Sequence, residues 1–333
     1  MRLNFQKSIA NSQTTLPVVG FISFILWFSL PAVQHSFSFE GTDYGLWKFF
    51  PSFLQEGYWT LSISAFCAAA AIYMMAELNN AYLLLRVASR MLSSMLAILL
   101  TIMVMHHRFQ PGSLLMLLSL LSFFPLFATY QSPTPIFSFV IHLIVSAASL
   151  FFPKFIWMVP VYWHIQGYFR AFSLRCMIAS VLALLLPYWI YGCVAFMNDA
   201  YGDFLAHVHS MIEWEWGNYM TLKRCDVLLF LFLVLLFVTG TIDFYLHQYM
   251  DKTRTRIFYN ALILYGIYAI FFTCIQPQYM GTLIPLLMIC TAIVFGHFFT
   301  LTFTNFSHIY CIFLLLLAVV VMTAQYFCDS LIF

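Results

Sequence analysis

Charge is what this sequence has least of. Asp, Glu, Lys and Arg make up 8% of its 333 residues, against roughly a quarter in a soluble domain. Hydrophobic residues make up 63%, and the mean hydropathy is +0.91. A water-soluble enzyme is excluded, since even a 300-residue globule leaves about a quarter of its unfolded-chain surface in water. Basic runs are absent as well: 14 Lys and Arg against 12 Asp and Glu leave a net charge of +2, which gives nucleic acid little to grip. No succession of ten-residue segments alternates apolar and polar residues as an outer-membrane barrel requires. None of the eight cysteines stands in a Cys-x-x-Cys or Cys/His metal spacing, so neither a metal nor another cofactor is expected.

What is there is a succession of long apolar runs. They predict an all-α polytopic transmembrane helical bundle of about eleven spans, at residues 16–34, 58–76, 88–105, 113–130, 136–152, 155–167, 177–197, 226–246, 257–275, 281–303 and 308–326. The fifth and sixth are short and joined by Pro153-Lys154, so they form either two spans or a re-entrant hairpin. Residues 1–333 read as one integral membrane domain with no soluble domain. Arg2 and Lys7 precede the first run and no small-x-small cleavage site follows it, which predicts an uncleaved span with its N-terminus in the cytoplasm. That orientation places Arg2, Lys7, Arg86, Arg90, Arg170, Arg175, Lys252, Arg254 and Arg256 inside. Only Lys48, Arg108, Lys154, Lys223 and Arg224 fall outside, as the positive-inside rule asks. The expected location is the inner (cytoplasmic) membrane, with the C-terminus outside and long outer loops at about 36–57 and 198–224.

Those outer loops hold the groups that chemistry would use: Glu40, Asp43 and Glu56 in the first, His207, His209 and Glu213 in the second. Carboxylates and His–Glu couples serve general acid–base catalysis, which makes these six the candidate catalytic residues. Between Asp203 and Trp216 the pattern predicts an amphipathic helix at the membrane interface. Its apolar side carries Phe204, Leu205, Val208, Met211, Ile212 and Trp216, and its polar side Asp203, His207, His209, Ser210 and Glu213. Two apart on a helix, His207 and His209 point away from each other and cannot chelate one ion. His209 and Glu213, four apart, can meet.

On the other side, Arg86, Arg90, Arg170, Arg175, Arg254 and Arg256 form a cytoplasmic belt. It serves topology, and it can hold the phosphate of an anionic lipid or of a polyprenyl-phosphate carrier. Ionisable residues inside a membrane mark function, and here they are few. His142 and His297 lie deepest, His164 is a third, and Asp243 lies a turn from the inner end of its helix with His247 four residues on. The histidines are expected to hydrogen-bond neighbouring helices and Asp243 to snorkel. No chain of Asp, Glu and Arg among them suggests a proton-coupled pump. Glu77 with Asn79-Asn80 ends the second span, as a cap or as a partner for Arg86. Cys193 and Cys225 flank the second outer loop and are the candidate disulfide of an oxidising compartment.

The stretch Tyr168-Phe169-Arg170-Ala171-Phe172-Ser173-Leu174-Arg175, the following Leu182-Ala183-Leu184-Leu185-Leu186-Pro187-Tyr188-Trp189, and Leu78-Asn79-Asn80 resemble an uncharacterised family of polytopic inner-membrane proteins of Bacteroidota. The resemblance covers about the middle third of the chain and implies location and organisation only. The leading functional expectation is a part in cell-envelope biogenesis, handling a lipid-linked saccharide, with membrane lipids as partners. Enzymatic activity is left open: a non-enzymatic subunit or scaffold bound to a partner membrane protein is the alternative, and a transporter or channel the third.

Overall fold

A computed structural model describes residues 6, 9–10, 12, 14–29, 57–87, 89–103, 110–213, 219, 222 and 224–330. All regular structure among them is helical: α1 (Thr15–Ser29), α2 (Gly57–Tyr82), α3 (Met91–Ile102), α4 (Pro111–Ala128), α5 (Pro135–Phe151), α6 (Val159–Tyr168), α7 (Leu174–Met197), α8 (Tyr201–Ile212), α9 (Arg224–His247), α10 (Thr253–Ile275), α11 (Met280–Leu301) and α12 (Asn305–Ser330). The protein is an all-α, multi-pass bundle of membrane type. Seven helices, α2, α4, α7 and α9 to α12, are long and apolar enough to cross a membrane. The expected count of about eleven is not reached, for reasons of length. α1, α3 and α5 are apolar but have 15, 12 and 17 residues, and at 1.5 Å per residue α3 covers about 18 Å of a core about 30 Å thick. The sixth run is split, because Pro153 opens a 3-10 turn (Pro153–Met158) and only the ten residues of α6 follow.

The chain divides into two compact units, the first built mainly from α1 to α3 and α9 to α12, the second mainly from α4 to α8. In the first, α11 is buried along almost its whole length and packs against α3, α9 and α10. Missing side chains permit this closeness. A Cβ on Gly240 of α9 would come within 2.9 Å of the α11 backbone at Val294 and Phe295, and one on Gly296 of α11 would meet Leu92 of α3 at 2.6 Å.

The second unit is joined by hydroxyls. Along one face of α5, Ser138 donates to Cys176 O (3.0 Å), Ser146 donates to Leu184 O (2.8 Å), and Ser149 bonds the Tyr188 hydroxyl, tying α5 to α7. The fifth and sixth runs return to their starting side, since Gln131 N–H donates to Phe169 O at 3.1 Å. Arg170 then stops α6 in the left-handed region (φ 57°), with Ala171 N–H donating to Gln166 O and Arg170 N–H to Gly167 O, a Schellman closure. Ser173 caps α7 by accepting from Cys176 N–H at 3.3 Å. The stretch from Arg170 to Arg175 is thus a stop followed at once by a start.

Candidate functional site

In the first unit, α1, α2 and α3 line a half-open cavity of about 420 Å³, within the range of small-ligand sites. Its wall changes character along α2. Ala65, Ala68, Ala69, Ile72 and Ala76 are small and apolar, with Phe24 and Trp27 of α1 and Ala97 and Leu100 of α3 opposite; beyond them come Glu77, Asn79, Asn80, Arg90 and Ser93. From Ala65 to Asn80 the helix rises about 22 Å, so the cavity is narrow, apolar for most of its length and charged at one end. Ser93 is 1% exposed, and its hydroxyl has no hydrogen-bond partner among the described residues.

The charged end is held by a short loop, residues 83–90. Leu83 leaves α2 at φ 50°, Asn79 accepts from Leu85 N–H (3.0 Å) and donates to Ser89 O (3.3 Å), and Ser89 donates to Ala10 O (2.6 Å). The loop presents two arginines. Arg90, at the N-cap of α3, lines the cavity. Arg86, about a third exposed, reaches Asp251 at 3.9 Å.

Asp251 follows a 3-10 turn (Gln248–Met250) between α9 and α10 and is buried together with its other partner, His297 of α11, whose Nε2 lies 2.9 Å from its carboxylate. The rings of Phe244 and Tyr259 stand edge-on to His297, at 5.5 and 4.9 Å between centroids. Within this box His297 Nδ1 and the Tyr259 hydroxyl are buried without hydrogen-bond partners among the described residues. A second Asp–His pair lies at the same end of the unit: Asp243 contacts His247 at 2.9 Å and accepts from the Thr302 hydroxyl with both oxygens.

The sequence candidates are distributed as follows. Glu40, Asp43 and Glu56 lie outside the described residues. His209 and Glu213 meet on the exposed side of α8 at 3.6 Å, as their spacing predicts. His207 does not join them: it is 2% exposed and packs against Tyr188 and Tyr191 of α7. Burial holds its pKa down to about 4, with the Ser149 backbone opposing. This corrects the expected polar face of α8 in part: Asp203, His209 and Glu213 are exposed as expected, but His207 and Ser210 turn into the protein while Leu205 and Ile212 are exposed.

Of the belt, Arg86 and Arg90 act as described. Arg254 lies over the Tyr82 and Phe258 rings (5.9 and 5.2 Å), Arg256 donates to the Thr253 hydroxyl, and Arg170 and Arg175 belong to the stop-and-start of the second unit. His164 is exposed, whereas His142 bonds Ser138 O of its own helix. Asp243 does not snorkel; it is buried and paired. Asp251 and His297 are buried as a pair, while Arg86, which meets them, is a third exposed. Cys193 is free while Cys225 is disulfide-bonded, so those two are not a pair.

Comparison with protein-family models and with curated protein sequences finds no match. The functional reading therefore rests on the site. Sequence reasoning passed over Asp251, Tyr259 and Ser93. Asp251 had a signal, being the lone acid in a turn that continues into Lys252, Arg254 and Arg256; Ser93 and Tyr259 had none, because their meaning is a missing partner.

Proposed function

We propose that this protein is an inner-membrane component of envelope biogenesis that binds an anionic amphiphile, of the lipid-linked saccharide class, in the α1–α3 cavity. The observation that carries this is the division of one narrow cavity into an apolar stretch and an end bearing Arg90, Glu77, Asn79 and Asn80. A hydrocarbon chain suits the alanine-lined part. Arg90 offers a phosphate a charge-assisted donor, the two asparagines and Glu77 are hydrogen-bonding partners for sugar hydroxyls, and the Ser93 hydroxyl lacks a partner that a bound headgroup would supply. The N-in orientation and the finer span count belong to the same reading. The loops at the Arg86 end of the first unit carry Arg86, Arg90, Lys252, Arg254 and Arg256, as a cytoplasmic face does. Cys225, at the other end of α9, carries a disulfide of the kind that persists in oxidising compartments.

The test is purification from native membranes in mild detergent, with mass spectrometry of the retained lipids. One anionic polyprenyl or acyl species should accompany the wild-type protein and be lost from Ala69→Trp, which fills the cavity, and from Arg90→Glu. Retention of bulk lipid alone, unchanged by both substitutions, would sink the proposal. A stoichiometric partner protein in its place would favour the subunit reading.

A further inference from the structure

We infer that Asp251 and His297 form a proton-uptake site of the first unit, and that its charge state decides whether Arg86 is held or released. The argument begins with charge. With His297 neutral, its Nε2–H donates to Asp251 and the pair carries −1, which Arg86 balances from the solvent side. The open position is His297 Nδ1, a lone pair with no partner among the described residues. When one proton enters from the side on which Arg86 is exposed, the pair goes from −1 to 0, whichever of its atoms carries the proton. Arg86 then faces a pair without net charge, and its attraction to the carboxylate weakens. Of the two groups on the carboxylate it is the more weakly held, at 3.9 Å and a third exposed against 2.9 Å and buried for His297, so it is the one that leaves.

Other ionisable groups around this end do not replace it. Asp243 and His247 of α9 face each other and Thr302, Lys252 is exposed, Arg254 lies over Tyr82 and Phe258, Arg256 donates to Thr253, Tyr259 of α10 packs on His297, His308 stands at the start of α12, and α3 has no ionisable residue. A released Arg86 stands four residues from Arg90 on a loop whose two ends are both tied to Asn79. If the amphiphile reading holds, and this consequence alone rests on it, the freed guanidinium is a second donor for the headgroup phosphate. Proton uptake then strengthens binding, and by linkage binding draws a proton in.

Two measurements test this separately. Arg86 reactivity toward phenylglyoxal, read by peptide mass spectrometry as a ratio to Arg170 at the same pH, should rise about fivefold in the wild type from pH 8 to pH 6, and Asp251→Asn, whose neutral side chain mimics the loaded pair, should show the raised ratio at both. His297→Gln keeps the carboxylate and should leave Arg86 protected, so a folded control exists if the Asn variant is unstable. A merely structural ion pair would free Arg86 in Asp251→Asn but leave the wild-type Arg86 to Arg170 ratio unchanged between pH 8 and pH 6. A wild-type ratio that does not change with pH overturns the inference. Second, lysophosphatidylglycerol, whose phosphodiester keeps its charge throughout, should bind the wild-type protein more tightly at pH 5.5 than at pH 8, and His297→Gln with no such dependence. Binding that is equally tight at both pH values in the wild type also counts against the inference. If the lipid binds at neither pH while Arg86 still responds, the amphiphile reading fails and the proton site stands.

Discussion

The two units solve the same problem, holding apolar helices together, in opposite ways. In the second, α5 and α7 are sewn by serine and tyrosine hydroxyls that are uncharged and nearly all paired. In the first, α9 and α11 touch backbone to backbone at Gly240, and the polar groups at their ends are charged, with Asp251 and Asp243 each meeting a histidine. Hydroxyl seams are ordinary glue between membrane helices. Buried charge is expensive and needs a reason beyond cohesion. The difference therefore assigns packing to the second unit and chemistry to the first, although three of the catalytic candidates from the sequence, His207, His209 and Glu213, lie in the second.

The largest effect expected from this contrast comes from the backbone contact. Gly240→Ala places a methyl group 2.9 Å from backbone atoms of Val294 and Phe295, which cannot rotate away, so α9 and α11 must separate. Overpacking of this kind costs about 1–3 kcal/mol, enough to exceed the helix propensity that alanine adds. In the second unit, Gly192→Ala meets only the Phe204 ring, at 3.3 Å, and should be neutral or mildly stabilising. Ser146→Ala, which removes one stitch of the hydroxyl seam, should cost about 0.6 kcal/mol. Apparent melting temperatures in detergent check all three, and equal losses at Gly240 and Gly192 would erase the distinction.

A smaller effect, confined to the second unit, is set by pH. His207 is buried neutral, with a pKa near 4 against an ordinary 6.5. A histidine lowered in this way binds fewer protons folded than unfolded, so its contribution is complete above about pH 6.5 and is lost as pH falls toward 4. Acidification should undock α8 from Tyr188 and Tyr191, seen as faster hydrogen exchange of the α8 amides after correction for intrinsic rates. His207→Asn should remove that dependence; its persistence would assign the acid sensitivity to another group.

The helical class, the positions of nearly all the apolar helices and the amphipathic α8 were legible because each depends on periodicity along the chain. The opposite orientations of His207 and His209 follow from the same geometry. That His207 and Ser210 turn inward was not legible, because the pattern of one helix does not say which of its residues the neighbouring Tyr188 and Tyr191 will meet. Nor was the dyad: His297 stood out as an ionisable residue in an apolar run, but Asp251 lies 46 residues away in a turn whose basic neighbours read as topology alone. The cavity was invisible for a related reason, since a row of alanines in α2 is equally consistent with tight packing and with the empty space that it borders.

The last effect concerns the turn on which the family resemblance rests. Arg170 occupies the left-handed region at the end of α6, a conformation that costs a side chain with a Cβ roughly 1–2 kcal/mol and glycine almost nothing. If that arginine serves only as a helix stop, glycine should serve better, and Arg170→Gly should raise stability by about 1 kcal/mol with no change in retained lipid. Arg175 lies in the first turn of α7, where a cation opposes the helix dipole, and Arg175→Ala should be neutral or slightly favourable by the same reasoning. Loss of a bound anionic lipid from either variant would show that these positions hold arginine at a cost in stability for the sake of phosphate. The assignment of binding to the first unit alone would then have to be extended to the second.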